Sequence, residues 1–422
     1  MFEYKNLLSA FEHIHKKTIA SPSRFIGLDS ISIKELYFSK EQYVKNLSFL
    51  VKDQTYELKP LRKIVLNQKK KRYVYNLPLN ELILHTSAAQ FLQFHLERRF
   101  SDNLFSYRKG RNPFQALRKA ENFLSTYKKN YKGDLKDRGL FLIKKDITNF
   151  TDSISSKPES KLYELIDQLN LAQNDVQLLK QLINPQYFWD GELLILEYLP
   201  TGSPLATILG NFFLNELDHM CSSFPESLYM RFGDDILFIS PHLDSFTMVD
   251  EIITNFCQTH HLSFSPTKCK KFFLNRAGRS YDDGKVMISG GHLFDYLGYR
   301  IDFQSGIIVK PEKKKAFFQQ FNHMINNYVT NMNARFGENW LNDKKIFQHF
   351  INQVNSLFDR SSQNHIPQLL DAIKNTSDRN EIKKIDLSIR KIISLKTKKT
   401  FNELINEFQL KSLVKIKNDL YG

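Results

Sequence analysis

The sequence predicts an α+β fold, and three observations carry that expectation. Strand-forming runs and turn residues crowd the middle of the chain, from Gly139 to about Val309. Helical spacing of apolar residues takes over after Pro311. Within the middle section, Arg231-Phe232-Gly233-Asp234-Asp235-Ile236-Leu237-Phe238-Ile239 sets two carboxylates between two apolar runs.

At 422 residues the chain can bury two or three domain-sized cores. Residues 1–60 are mixed and open with a helix around Tyr4 to Ile14. Residues 61–138 are basic and aromatic. Lys69-Lys70-Lys71-Arg72 precedes Tyr73 and Tyr75, and a long helix is expected from about Leu79 to Arg99. Phe141-Leu142-Ile143 reads as a buried strand leading to Asp146. Leu228 to Phe232 and Ile236 to Ile239 read as a hairpin that turns at Gly233 and the aspartates. Tyr299 to Phe303 and Ile307 to Val309 flank Gln304-Ser305-Gly306, a second hairpin signal.

Beyond Pro311, apolar residues recur in four groups: Phe317, Phe321, Met324, Ile325, Tyr328; Phe347, Phe350, Ile351, Val354; Ile382, Ile385, Ile389, Ile392; and Leu404, Ile405, Phe408. Lys313-Lys314-Lys315 and Lys396, Lys398 and Lys399 give this module a basic surface. A nucleic-acid clamp and a plain helical bundle with solvated lysines are both open readings.

Lys and Arg number 60 against 45 Asp and Glu, a formal net charge of +15. Such a balance points to a polyanionic partner, nucleic acid first. The three cysteines, Cys221, Cys257 and Cys269, make no disulfide framework, which fits a reducing cytoplasm. Cys257, His260, His261 and Cys269 match no common zinc spacing. No apolar run reaches the roughly 18 residues of a membrane span. The first residues carry no apolar core of a signal peptide.

The chemistry starts from charge. Two carboxylates about 4 Å apart repel by roughly 4 kcal/mol at an effective dielectric of 20, and a divalent cation is the simplest remedy. If the strand ending at Asp146 neighbours the Asp234-Asp235 hairpin, three carboxylates face one pocket. That is a ligand set for two hard cations, which at about 3.5–4 Å apart can clamp an in-line phosphoryl displacement. Leu199-Pro200-Thr201-Gly202-Ser203-Pro204 runs as a loop into the apolar stretch ending at Asn211. Its exposed amides, Gly202 among them, suit phosphate or nucleotide contact, with an ordinary turn before a helix as the plainer alternative.

The order of these segments resembles reverse transcriptases, and most closely the bacterial kind related to retrons, group II introns and abortive-infection systems. The resemblance runs from about Lys69 to Tyr299. Lys71-Arg72-Tyr73-Val74-Tyr75-Asn76-Leu77-Pro78 looks like the fingers segment whose Lys and Arg hold the incoming triphosphate. The stretch from Arg99 through Arg108 to Arg111 is similar to the family's FSDN…FRPGR segment. Asp146 to Ile154 looks like motif A, Leu199 to Asn211 like motif B, and Phe232 to Asp235 like the YxDD box of motif C. Lys268, in Ser265-Pro266-Thr267-Lys268, sits where motif D carries a lysine near the pyrophosphate. Phe294-Asp295-Tyr296-Leu297-Gly298-Tyr299 resembles the primer grip.

The resemblance implies a right-hand polymerase fold: an N-terminal extension over 1–60, fingers over 61–138, a palm with an antiparallel sheet over 139–310, and a helical thumb and C-terminal module over 311–422. A fingers-like helical insertion is expected over about 155–195. Asp146, Asp234 and Asp235, with the Ile147 carbonyl, would hold two Mg2+ ions, Mn2+ being the alternative. Lys71, Arg72, Phe150, Thr151, Gly202 and Lys268 would bind nucleotide. Arg108, Arg111, Leu297, Gly298, Lys398 and Lys399 would bind nucleic acid. The implied partners are dNTPs, an RNA template, a dedicated noncoding RNA or a protein primer, and the DNA product, with homo-oligomerisation left open.

The chain departs from the family at two positions. Five residues after Asp146 the family carries Phe or Tyr, whose ring blocks a ribose 2′-OH; here stands Thr151, with Phe150 one place earlier. Motif B carries Thr201 where Gln is usual. The sequence shows no zinc-binding endonuclease module and no Val-Thr-Gly triplet after the palm. In this it resembles standalone defence-associated reverse transcriptases.

Overall fold

The computed structural model describes residues 1–20, 32–67, 72–131, 138–358, 376–407 and 409–413. The chain forms two compact units, one of Met1–Ala116 with Leu140–Phe272 and one of Leu117–Gly139 with Phe273–Gly422.

The first unit holds the acidic residues. Strand β1 (Leu61–Asn67) pairs antiparallel with β2 (Arg72–Asn76). Strand β3 (Gly139–Asp146) is buried along nearly its whole length, which is why its run from Leu140 to Ile143 is apolar without alternation. The strands β4 (Gln186–Trp189) and β5 (Glu192–Ile195) form a hairpin, and β4 runs parallel to β1 in the order β2-β1-β4-β5. The expected insertion is therefore helical only in part, with helices Lys161–Asp167 and Gln173–Ile183 before the hairpin. Asp190-Gly191 at its tip, between Tyr187-Phe188-Trp189 and Leu193-Leu194-Ile195, is a plain hairpin signal that the expectation of a helical insertion passed over.

Strands β6 (Leu228–Phe232) and β7 (Asp235–Ser240) form the acidic hairpin, and β7 lies between β6 and β3, antiparallel to both. Helix Asn215–Ser222 packs on β6 and helix Leu243–Thr259 on β7. Helix Leu79–Leu96 is buried nearly all round and ends three residues before the expected Arg99. The opening helix runs Tyr4–Ala20, longer than expected, with Leu7, Phe11 and Ile14 buried.

Strand β8 (Lys270–Asn275) enters the second unit at Phe273, and there β9 (Tyr281–Asp282), β10 (Met287–Ile288) and β11 (Gly290–Gly291) make two short ladders: β9 with β10 antiparallel, and β11 parallel to Phe273 and Leu274 of β8. A meander of β12 (Leu293–Tyr296), β13 (Tyr299–Asp302) and β14 (Gly306–Ile308) follows. After Pro311 the described chain is helical: Pro311–Phe336, Lys344–Ser356, Arg379–Thr397 and Phe401–Glu407, with a short 3-10 turn at Glu338–Asn342. Pro311 occupies the first turn of its helix, and Asp343 and Asp378 cap the next two by accepting backbone N–H groups. Phe317, Phe321, Ile325, Phe347, Phe350, Ile351, Val354, Ile382, Ile385, Ile389 and Leu404 form one core that includes Trp340. Phe408 and the side chain of Ile405 lie outside the described residues.

Trp340 is 1% exposed and its Nε1 donates to Asn333 Oδ1 at 2.6 Å. Trp340→Ala should cost about 3–5 kcal/mol by cavity formation and loss of that bond. Urea denaturation measures it; a loss below about 1 kcal/mol would show that Trp340 does not hold this core together.

Candidate active site

The register of β3 on β7 places Asp146 directly opposite Asp235. Directly paired residues of an antiparallel ladder point to the same face, so two like charges meet there. Asp234 belongs to the two-residue turn between Phe232 and Asp235, and its carbonyl accepts the Ile147 N–H at 3.1 Å. Gly233 has φ +65°, as the first central position of a II′ hairpin turn requires. No atom would touch a Cβ there, so the backbone conformation alone demands the glycine.

This turn rests on a buried polar network. Arg231 and Asp218 are both 0% exposed and meet through two bonds, Nε to Oδ1 at 2.7 Å and Nη2 to Oδ2 at 2.6 Å. Arg231 Nη1 also donates to the Gly233 carbonyl at 3.0 Å and to Asn211 Oδ1 at 3.1 Å. The Gly233 N–H donates to Ser106 Oγ at 2.8 Å, whose own proton goes to Asn211 Oδ1. Tyr229 donates to Asp218 at 2.8 Å. One arginine thus ties the turn to helix Pro204–Phe213, to helix Asn215–Ser222 and, through Ser106, to the segment after Arg99. Helix Pro204–Phe213 is pinned at its start as well. Ser203 Oγ accepts the Leu205 N–H and bonds His85 Nδ1 at 2.6 Å. Burial pushes His85 down to about 3, so the ring is neutral.

Burial, with Asp146 and Asp235 adding to it, pushes the Asp234 carboxyl above the usual range. Burial does the same to Asp235, against the pull of Lys144, whose Nζ is 3.7 Å away. Lys268 Nζ bridges both oxygens of Asp146 at 2.8 and 2.9 Å, and this bond raises the lysine's own pKa. Among the described residues, no three His, Cys, Asp or Glu side chains are gathered into a preformed metal cage. The donor set still suits a hard divalent cation. It is made of mutually repelling carboxylate oxygens, those of Asp146 buried and those of Asp234 and Asp235 half-buried, and an ammonium already bridges the two oxygens of Asp146 as a cation would.

Other expected site residues fall as follows. Arg72 opens β2 and is exposed, while Lys69, Lys70 and Lys71 lie outside the described residues. Gly202, at φ +101°, backs onto β2: a Cβ there would lie 3.4 Å from Val74 Cβ. The Tyr75 N–H donates to the Thr201 carbonyl at 2.9 Å, which holds this loop to the strand. Phe150 packs on helix Pro204–Phe213, its ring 3.0 Å from where a Cβ on Gly210 would be.

Arg108 is turned inward. It is 7% exposed, and its guanidinium is engaged by Glu97 and by the carbonyls of Ser101 and Leu104, which ties its own loop together. Arg111 pairs with Asp102 at 3.0 Å near the surface. In the second unit, Leu297 (φ +46°) and Gly298 (φ +80°) make the tight turn between β12 and β13. Lys313 Nζ, which the motif pattern did not single out, lies 3.1 Å from where a Cβ on Gly298 would be. Lys398 is exposed at the end of helix Arg379–Thr397, and the Lys399 ammonium stacks 5.2 Å from the Phe347 ring centre.

Sequence reasoning also missed Lys144, Arg231, Asp218 and Ser106. Ser106 lies within the Arg99–Arg111 stretch and Arg231 precedes the acidic turn, but no spacing marks any of the four as a support of that turn. Tyr107 is a further neighbour: burial, then the Asp234 charge, raises its phenol.

A family model for reverse transcriptase (RNA-dependent DNA polymerase) matches residues 69–301, more than half of the chain. No curated protein matches the chain. Similar solved structures include apo telomerase from Candida tropicalis truncated from its C-terminal domain. It is 15% identical, over 53% of this chain and 45% of that one, at TM-score 0.40. Telomerase from Candida albicans with the TWJ fragment of telomeric RNA is 12% identical, over 88% and 67%, at TM-score 0.49. The corresponding Candida tropicalis complex is 12% identical, over 86% and 63%, at TM-score 0.45. The chain thus spans between 45% and 67% of the length of these telomerase chains.

A carboxyl whose pKa is raised by folding subtracts from stability once ionised. The cost is full at neutral pH, shrinks as pH falls through the raised value, and vanishes below the ordinary 3.8. Metal-free Asp234→Asn should therefore melt at or above the wild-type temperature at pH 7, with the difference closing toward pH 4. A variant that melts well below wild type at pH 7 would show that repulsion does not dominate at this turn. Asp218→Ala should do the opposite. It removes the carboxylate that two of Arg231's bonds reach, at about 3–5 kcal/mol by chemical denaturation. A change under about 1 kcal/mol would mean that the network does not anchor the turn.

Proposed function

Because the chain belongs to the reverse transcriptase family, whose members are RNA-dependent DNA polymerases, we propose that it extends a primer along an RNA template with dNTPs, making DNA. By family it is a nucleotidyltransferase with the right-hand polymerase fold. The observation that carries the reading is the pairing of Asp146 with Asp235, with Asp234 at the adjoining turn.

Asp146, Asp234 and Asp235, with the Ile147 carbonyl, would hold two divalent cations, Mg2+ or alternatively Mn2+, which when bound acidify an attacking 3′-hydroxyl and neutralise a leaving pyrophosphate. The protein's own groups do the positioning. The Arg231–Asp218 network fixes the backbone of the turn, so the two aspartates cannot drift apart under their repulsion. Lys268 keeps its proton and stands beside Asp146, where a polyphosphate entering the site would meet it. Arg72 and the Gly202 loop are joined through β2, which supports their joint role at the nucleotide, together with Lys71. Arg111, Leu297, Gly298, Lys398 and Lys399 are our candidates for contact with template and primer. We assign the fingers to 61–138, the palm to 139–310 and the thumb to 311–422. The antiparallel hairpins inside 139–310 and the helices after Pro311 support that division.

We read the chain further as a standalone bacterial defence polymerase in the cytoplasm, primed by a noncoding RNA or by a protein side chain. Its resemblance to that group supports this. Among the described residues, no helix is long and apolar enough to cross a membrane.

The purified protein should incorporate dNTPs on an RNA template with Mg2+ or Mn2+, and Asp146→Asn, Asp234→Asn and Asp235→Asn should each abolish incorporation. Wild-type turnover in any of these variants would overturn the reading. Template affinity should fall steeply with salt as counterions are released. Sequencing the nucleic acid that copurifies should identify a dedicated RNA and any covalently attached DNA. A protein that binds RNA yet incorporates nothing with either cation would be an RNA-binding scaffold instead.

A further inference from the structure

Lys63 stands on β1 among aromatic rings. Its ammonium lies 4.6 Å from the Tyr73 ring centre, 5.2 Å from that of Trp189, 5.7 Å from Tyr187 and 6.0 Å from Tyr75. The strand registers explain the gathering. Lys63 pairs with Tyr75 of β2, and Leu61, on the same face two residues earlier, pairs with Tyr187 of β4. The rings meet edge to face, Tyr73 with Trp189 at 5.5 Å and Tyr75 with Tyr187 at 5.2 Å.

Tyr73, Tyr75 and Tyr187 wall a cavity of about 320 Å³ that Lys63 and Asp152 also line. Asp146, Asp234 and Asp235 do not line it. Thr201 Oγ1 donates to Asp152 Oδ1 at 2.6 Å, and among the described residues nothing else is bonded to this carboxylate. Burial raises the Asp152 carboxyl, and Thr201 and then Lys63 pull against it, so the ammonium and the carboxylate act on one another. The other carboxylate of the lining, Glu197, is taken by Lys157 at 2.9 Å.

A guanine base fits this pair. Its Watson–Crick edge carries an acceptor, O6, followed by two donors, N1–H and N2–H. The cavity offers an ammonium donor and a carboxylate that can accept two parallel N–H bonds. Uracil has a single N–H between two carbonyls, and adenine and cytosine place an acceptor next to their amino group. None of these gives a carboxylate two adjacent donors. Tyrosine rings supply the stacking by which proteins hold the unpaired bases that RNA loops display. A strand also has a path to the cavity. Lys63 lines the neighbouring cavity of about 780 Å³ as well, with Lys59, Arg62, Phe188 and Trp189. Cations beside rings make a groove that tracks a single strand through its phosphates and bases.

We propose that the smaller cavity is a pocket for one unpaired guanine of a single-stranded RNA. Asp152 accepts from N1–H and N2–H, Lys63 donates to O6, and the adjoining strand runs over Lys59 and Arg62. Thr201 contributes by holding the Asp152 carboxylate in place. The pocket is built from other residues than the acidic site and does not depend on the polymerase reading.

The test is fluorescence anisotropy with a short uridine oligomer that carries one central guanosine. Replacing the guanosine by adenosine should weaken binding at least about tenfold, and replacing it by inosine, which lacks only the 2-amino group, about fivefold. Asp152→Asn, nearly isosteric, should bring the guanosine and adenosine oligomers within about threefold of each other at an unchanged melting temperature. Lys63→Met should weaken the guanosine oligomer more than the adenosine one. Equal binding of the guanosine, adenosine and inosine oligomers by the wild-type protein overturns the proposal without the help of any variant. So does a guanosine preference that survives Asp152→Asn. GMP that competes as well as the oligomer would make this a pocket for a free nucleotide and overturn the assignment to RNA. The expected guanosine preference in a protein that incorporates no nucleotide would support this inference and sink only the polymerase reading.

Discussion

Arg231 and Asp218 form a fully buried ion pair beneath the acidic turn, and the site depends on it. Two charges removed from water are unfavourable unless every donor and lone pair is matched. Here they are matched closely: two bonds between the pair, one from Tyr229, and others from Arg231 to Asn211 and the Gly233 carbonyl. A network this complete has few alternative arrangements, because any shift strands a buried polar group. It joins a strand, two helices and the turn in one cluster. The backbone that carries Asp234 and Asp235 is therefore held from below.

Such support is needed because the groups above it repel. Asp146 and Asp235 are cross-strand partners, and both turn carboxyls are pushed above the ordinary range by burial and by neighbouring carboxylates. Lys268 and Lys144 relieve part of this from the sides. The balance is one of rigid backbone and adjustable side chains. The strands hold the aspartates in register, while a half-exposed lysine on Asp146 can give way to another cation. Lys268 marks where such a cation would be drawn, since it bridges both oxygens of that carboxylate.

The same economy of polar groups joins the segment after Asp146 to the loop before Pro204. Thr151, Thr201 and Asp152 come from two segments brought together by the helix after Asn149 and the loop before Pro204. Tyr75 fixes that loop to β2 through one backbone bond. Thr151 there belongs to a hydrogen-bonded chain with Thr201 and Asp152.

Several features were legible in the sequence because they are local. The acidic hairpin follows from two strand-forming runs around a glycine that can take positive φ. The helices after Pro311 follow from periodicity, and nearly all of their described apolar positions turned out to be core or packed against it. The strand before Asp146 follows from its unbroken apolar run. The hairpin Gln186–Ile195 was equally local, and its Asp-Gly turn was simply passed over. Tertiary structure alone decided which partner each element takes. Nothing in the sequence states that Asp146 stands opposite Asp235 rather than one residue along, since register depends on packing across the whole sheet. Nor does it state that Arg108 turns inward to Glu97 while Arg72 stays exposed, because a basic residue reads the same in either place. The Thr151–Thr201–Asp152 chain spans 50 residues of sequence and has no spacing of its own. Residue types and local periods set what each segment can be; burial and long-range pairing set which of its polar groups meet, and so which chemistry they share.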